Sequence, residues 1–135
     1  MQMLTTGYTL SGTTELSYDE AVERVRAELK AEGFGILCEC DVRATLLEKL
    51  GAEREPYVIL GACNPALADA ALGVEPALGV LLPCNVVVHR TDEETHVEAI
   101  DPERMLSIVE NDDLAPIARA VKQRLEAAVR RVVGD

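Results

Sequence analysis

Asn85 to Arg90 and Thr95 to Ile100 are two β-rich runs separated only by Thr91-Asp92-Glu93-Glu94, a polar stretch of hairpin character. Asp101-Pro102 ends the second run. After Asp112-Asp113 a long helix is expected to reach about Val133. Its Ile117, Val121, Leu125 and Val132 form an apolar seam, bridged by Ala128 and Val129, and Pro116 falls in its first turn, where proline is tolerated. A hairpin followed by a helix with one face to bury points to an antiparallel sheet covered on one side.

The earlier part of the chain alternates strands and helices. Thr9 to Leu16 reads as a strand, and Ser17-Tyr18-Asp19-Glu20 as a capping box opening a helix over about 18 to 32. Val22, Val25 and Leu29 follow at helical spacing, and Gly33 supplies a stop. Gly35 to Cys40 fits a strand. Asp41 can cap the next helix, which carries Ala44, Leu47 and Leu50 on one face and ends at Gly51. Pro56 to Ala62 reads as another strand. Asn64 is a good N-cap and Pro65 suits the first helical position, so Ala66 to Leu72 is expected to be a short helix, broken by Gly73 and Pro76. Interleaved strands and helices would also suit a parallel sheet, but the hairpin favours α+β.

The chain has 135 residues, a single-domain length, and 48% of them are hydrophobic, enough for one core. Three Tyr, one Phe and no Trp leave that core to Val, Leu, Ile and Ala, and leave few stacking platforms for single-stranded nucleic acid. With 24 acidic against 13 basic residues and a formal charge of −11, the surface repels phosphate backbones and anionic lipid. Nucleic acid and membrane are therefore not expected partners. Met1 to Leu10 shows no export signal, and no segment approaches the roughly 18 apolar residues of a membrane span. A cytoplasmic location with four reduced cysteines is the expectation.

Four stretches carry a family resemblance: Gly35-Ile36-Leu37 with Glu39, Asp41 and Val42; Ile59-Leu60-Gly61-Ala62-Cys63-Asn64-Pro65; Gly79-Val80-Leu81-Leu82-Pro83-Cys84-Asn85-Val86-Val87-Val88; and Ala99-Ile100-Asp101-Pro102. They resemble the domain-of-unknown-function 302 family. The resemblance implies a curved antiparallel sheet with helices on one face, similar to the TATA-binding-protein-like architecture, and implies no activity. Similar architecture does not import DNA binding, because function lives in sites rather than folds. Cys38, Cys40 and His89 depart from the family pattern and inherit no role from it.

The two Cys-Asn pairs are the main candidates for chemistry. Cys63 and Cys84 each precede an Asn and flank a Pro, which suggests two similar turns at one rim of the sheet. Their spacing is not that of a zinc ribbon, and no Cys-x-x-Cys is present. Cys63 precedes a helix N-terminus, where a thiolate is stabilised. Such a pair can bind a soft metal, cycle as a dithiol or react with a small ligand, or it can simply pack two tight turns. Asn64 is explained by capping. Asn85 has no such local explanation and is the better ligand contact.

Glu39 and Asp41 could assist chemistry or hold a divalent ion, although capping suffices for Asp41. Cys38 and Cys40 share one face of their strand and are expected to face the core. If the hairpin centres on Asp92-Glu93, His89 faces His96 across it, with Glu98 or Glu94 nearby, while Cys84 lies on the opposite face. The histidines then form at most a weak metal pair.

Three functions follow as expectations. The first is a small binding or redox-sensing module whose Cys63 and Cys84, framed by Asn64 and Asn85, engage a soft metal or a thiol-reactive small ligand. The second is a thiol enzyme with Cys63 as nucleophile assisted by Asp41 or Glu39. The third makes the Cys-Asn motifs structural and places function in self-association or in binding through the sheet's open face, since an uncovered apolar face invites a homo-oligomeric partner.

Overall fold

The computed structural model describes residues 4–134. Met1 to Met3, the start of the stretch read above for an export signal, lie outside the described residues. The strands are β1 (Leu4–Thr5), β2 (Thr9–Thr14), β3 (Gly35–Asp41), β4 (Tyr57–Cys63), β5 (Cys84–Thr91) and β6 (Glu94–Ile100). The α-helices are α1 (Tyr18–Ala31), α2 (Val42–Leu50), α3 (Pro65–Val74), α4 (Pro102–Leu106) and α5 (Ala115–Val133). Short 3-10 segments occupy Pro76–Val80, Ser107–Val109 and Asp112–Leu114.

The strands form one six-stranded antiparallel sheet in the order β1-β2-β6-β5-β4-β3. Chain order and sheet order part company once: after β2, helix α1 carries the chain to β3 at the opposite edge. Each later strand returns next to its predecessor. The architecture is the α+β arrangement expected, an open antiparallel sheet with helices packed against it.

Strand parity builds the core. Leu10, Val58, Leu60, Ala62, Val86, Val88, Val97 and Ala99 are buried together with Ala21, Val25 and Leu29 of α1 and the seam of α5. That seam runs through Val121, Leu125, Ala128, Val129 and Val132, as its spacing predicts. The α5 C-terminus comes so close to β2 that a Cβ added at Gly12 would lie 2.9 Å from Val133 Cγ1. Gly12 is therefore a packing requirement of that crossing.

Local signals place the helix ends well. Ser17 accepts from the Glu20 amide at 3.2 Å, and Asp41 accepts from the Ala44 amide at 2.8 Å. Gly51 adopts φ 66° at the end of α2. One boundary differs: α3 runs through Gly73 to Val74, so Gly73 does not break it, and Pro76 instead opens the following 3-10 segment. Glycine lowers helix propensity by about 1 kcal/mol, which tertiary packing offsets. Among the described residues no helix is long and apolar enough to cross a membrane.

Candidate functional site

β4 ends and β5 begins at the same rim of the sheet, with Ala62 opposite Cys84. Helices α3, α4 and α5 stand over this rim without closing on it completely. Between them lies a cavity of about 270 Å³. Phe34, Leu67, Ala71, Met105, Leu106 and Ile117 supply much of its wall, and both Cys63 and Cys84 line it. Leu37 and Leu72, also lining, are 67% and 39% exposed, so the cavity reaches the surface beside them. An apolar recess with a few polar atoms is the usual form of a small-molecule site.

Cys84 is buried and Cys63 half-buried. Burial, with the nearby Cys63 as a second contributor, pushes the Cys84 thiol up to about 11. It is therefore a neutral thiol near pH 7, a small apolar surface with a weak S–H donor. The two Cys-Asn pairs do share one rim but not similar turns: Cys63-Asn64 leads out of β4 into α3, whereas Cys84-Asn85 opens β5.

Asn64 is buried at the same place and is fully explained by structure. Its Oδ1 accepts from the Leu67 amide at 3.4 Å, capping α3, and its Nδ2 donates to the Glu32 carbonyl at 3.5 Å. Arg124 Nη1 donates to that same carbonyl at 3.3 Å. The start of α3, the end of α1 and the middle of α5 are thus tied together behind the cavity.

Several candidates fall elsewhere. Asn85 is exposed on the sheet face opposite the helices, because it follows buried Cys84 in a regular strand. It neither lines the cavity nor frames Cys84. Glu39 pairs with Arg26 of α1 at 2.5 Å. Asp41 lies opposite Val58, whereas Cys63 lies opposite Gly35, so Asp41 is five strand positions away along β4, roughly 17 Å. Neither carboxylate can assist Cys63, which removes the residues named for a thiol enzyme.

Cys38 and Cys40 were expected to face the core, but both are exposed. They share a face, opposite Gly61 and Ile59, and it is the open one, turned away from the helices. A Cβ at Gly61 would collide with Cys38 Sγ and lie 2.8 Å from Pro83 Cγ. Gly61 is the bare spot over which β3 and the loop into β5 approach each other. No cluster of three or more metal-ligating side chains among the described residues includes any cysteine.

The histidines do face each other. His89 and His96 are directly opposed, and their rings stack at 4.8 Å with 9° between planes. Tyr57 stacks on the other side of His89 at 5.1 Å. His89 Nε2 lies 2.7 Å from Glu98 Oε1, and its Nδ1 lies 3.1 Å from Thr91 Oγ1. The three-ring ladder runs across β4, β5 and β6 on the open face, away from Cys63 and Cys84.

The sequence reading missed α4, whose Pro102, Met105 and Leu106 line the cavity. A signal for it was present. Asp101-Pro102 repeats the cap-plus-proline pattern of Asn64-Pro65, and Asp101 Oδ1 accepts from the Glu103 amide at 3.0 Å.

A family model described as "Domain of unknown function DUF302" matches residues 10–132. The crystal structure of an uncharacterized conserved protein DUF302 from Bacillus stearothermophilus is similar to this chain with a TM-score of 0.87 and 31% sequence identity. The similarity covers 92% of this chain and 97% of that one. No curated protein matches. On the family match across nearly the whole chain, and on a solved relative with the same fold, this chain belongs to the DUF302 family.

Proposed function

We propose that this protein is a binding module for a small apolar molecule, held in the cavity under α3, α4 and α5 with the Cys63 and Cys84 thiols in its wall. The observation that carries this reading is the cavity itself. At about 270 Å³ it exceeds the ~150 Å³ engineered cavity that accepts benzene, and its lining is almost wholly carbon and sulfur. An exposed apolar mouth at Leu37 and Leu72 supports entry from solvent. The stretches with the strongest family resemblance, Ile59 to Pro65 and Gly79 to Val88, both contribute to that wall.

A soft-metal or dithiol role for the cysteine pair is less well served. Thiolate is the form that ligates metals and attacks disulfides, and a Cys84 thiol pushed to about 11 holds little of it near neutrality. Cys63 is the more accessible of the two and is the thiol that a reactive ligand would meet first.

The reading is tested by titrating indole into isotopically labelled protein and following backbone amide resonances. Saturable shifts confined to Cys63, Leu67, Ala71, Cys84 and their neighbours are expected. Absence of saturable shifts there, or shifts scattered over the open sheet face, would count against the cavity as a site.

A further inference from the structure

We propose a second, independent site: His89, His96 and Glu98 on the open sheet face bind one divalent transition-metal ion of the zinc, cobalt or nickel class. The ligand atoms of these three side chains lie within 4.8 Å of one another, the only such group among the described residues. All three are partly buried, with side chains 17%, 26% and 33% exposed, so they are placed by the sheet and still reachable from solvent.

The pleat fixes the cluster. His89 and His96 are opposed across β5 and β6, and Glu98 is two residues beyond His96 on the same face. Two imidazoles and one carboxylate form the donor set that borderline divalent metals favour, whereas calcium and magnesium prefer oxygen alone. Three protein ligands leave a coordination position for water, as at open zinc sites.

Ligands of a tetrahedral ion at roughly 2.0–2.1 Å stand about 3.3 Å apart. The 2.7 Å contact between His89 Nε2 and Glu98 Oε1 must therefore widen slightly, and the His96 ring must turn out of its stack on His89, because a bound ion lies in the plane of each imidazole and two rings only 9° from parallel cannot both reach it. The metal takes the place of the proton shared by His89 and Glu98. His89 then carries its ring proton on Nδ1 and donates it to Thr91 Oγ1, already 3.1 Å away. Such an outer hydrogen bond fixes the tautomer of a ligating histidine. Tyr57 stacks on the outer face of His89 and limits its rotation. Glu94 Oε2, 3.9 Å from His96 Nε2, adds negative charge beside the site, and the net charge of −11 draws cations towards the whole molecule.

The test uses untagged, chelator-treated full-length protein titrated with Co²⁺ and Zn²⁺. One ion per chain is expected, with a cobalt spectrum free of near-ultraviolet thiolate charge transfer. His89→Gln, His96→Gln and Glu98→Gln should each weaken binding by roughly tenfold or more. Because a variant could lose structure, the imidazole resonances of the unmodified protein provide a second readout: those of His89 and His96 should shift together on Zn²⁺ addition. Lack of stoichiometric binding, a thiolate band, unchanged affinity in the folded variants, or unmoved imidazole resonances would each overturn the site. The variant affinities and the imidazole shifts report on the open face alone, and the cavity lies on the other face of the sheet.

Discussion

Ala62 of β4 lies opposite Cys84 of β5, and this single pairing brings Ile59 to Pro65 and Gly79 to Val88 to one rim of the sheet. The placement of both thiols at the cavity follows from it. Cys63 is the next residue of β4 and sits at the same wall as Cys84, while Asn64 turns the chain into α3 above them. Asn85, one step along β5, is turned to the opposite face.

The cysteines should separate by reactivity. Cys38 and Cys40 are exposed, so iodoacetamide should label them first, while Cys84 should resist at pH 8 because its thiol is neutral and buried. Labelling of Cys84 should rise only above about pH 10, as read by peptide mass spectrometry. The sign for stability follows. A thiol raised from 9.0 to about 11 favours the folded state below pH 9, and that contribution is lost as pH climbs through the folded value.

Gly61→Ala should destabilise the fold by about 1–3 kcal/mol, the usual range for overpacking. Cys38 has an exposed side chain that can move, but the Pro83 ring, 2.8 Å from the added Cβ, is less free to shift. Cys38→Ala in the same chain should therefore recover only part of the loss. Urea denaturation of the single and double variants measures both.

Asp101 is buried, caps α4 and receives Lys122 Nζ at 3.0 Å. Lys122→Met should cost about 1–3 kcal/mol, because it leaves a buried carboxylate without its cation. The hydrogen bond to Asp101 is the largest cause holding the Lys122 ammonium above its ordinary 10.5. Its contribution is thus complete below that pH and disappears as pH rises beyond it. Thermal unfolding of the variant should show a shallower alkaline decline than the parent.

The β5–β6 turn places Asp92 and Glu93 at φ 53° and 66°, the left-handed pair that a two-residue hairpin of this twist requires. Glycine meets that requirement without a Cβ. Glu93→Gly should stabilise the protein by roughly 0.5–1 kcal/mol, with β5–β6 pairing unchanged, measurable as a higher urea midpoint.

Much of this was legible because it is local. Caps at Ser17, Asp41 and Asn64 are set by neighbours in sequence, and the opposition of His89 and His96 follows from the centre of their hairpin. Other features depend on pairings made across the sheet. Nothing near Cys38 in sequence says that β3 is an edge strand, reached by α1 crossing the sheet, and so nothing local says which face its thiols take. The distance from Asp41 to Cys63 is likewise a matter of register between β3 and β4. The cavity is harder still, since it is the space left among three helices that come from separate stretches of the chain.

Ala68 lines the cavity from α3 and is partly buried, so Ala68→Phe should fill it while leaving the helix intact. Indole affinity of this folded variant against that of the parent tests the binding account most directly. An affinity lower by roughly tenfold or more, about 1.4 kcal/mol, is the predicted result. Equal affinity in the two proteins would contradict it.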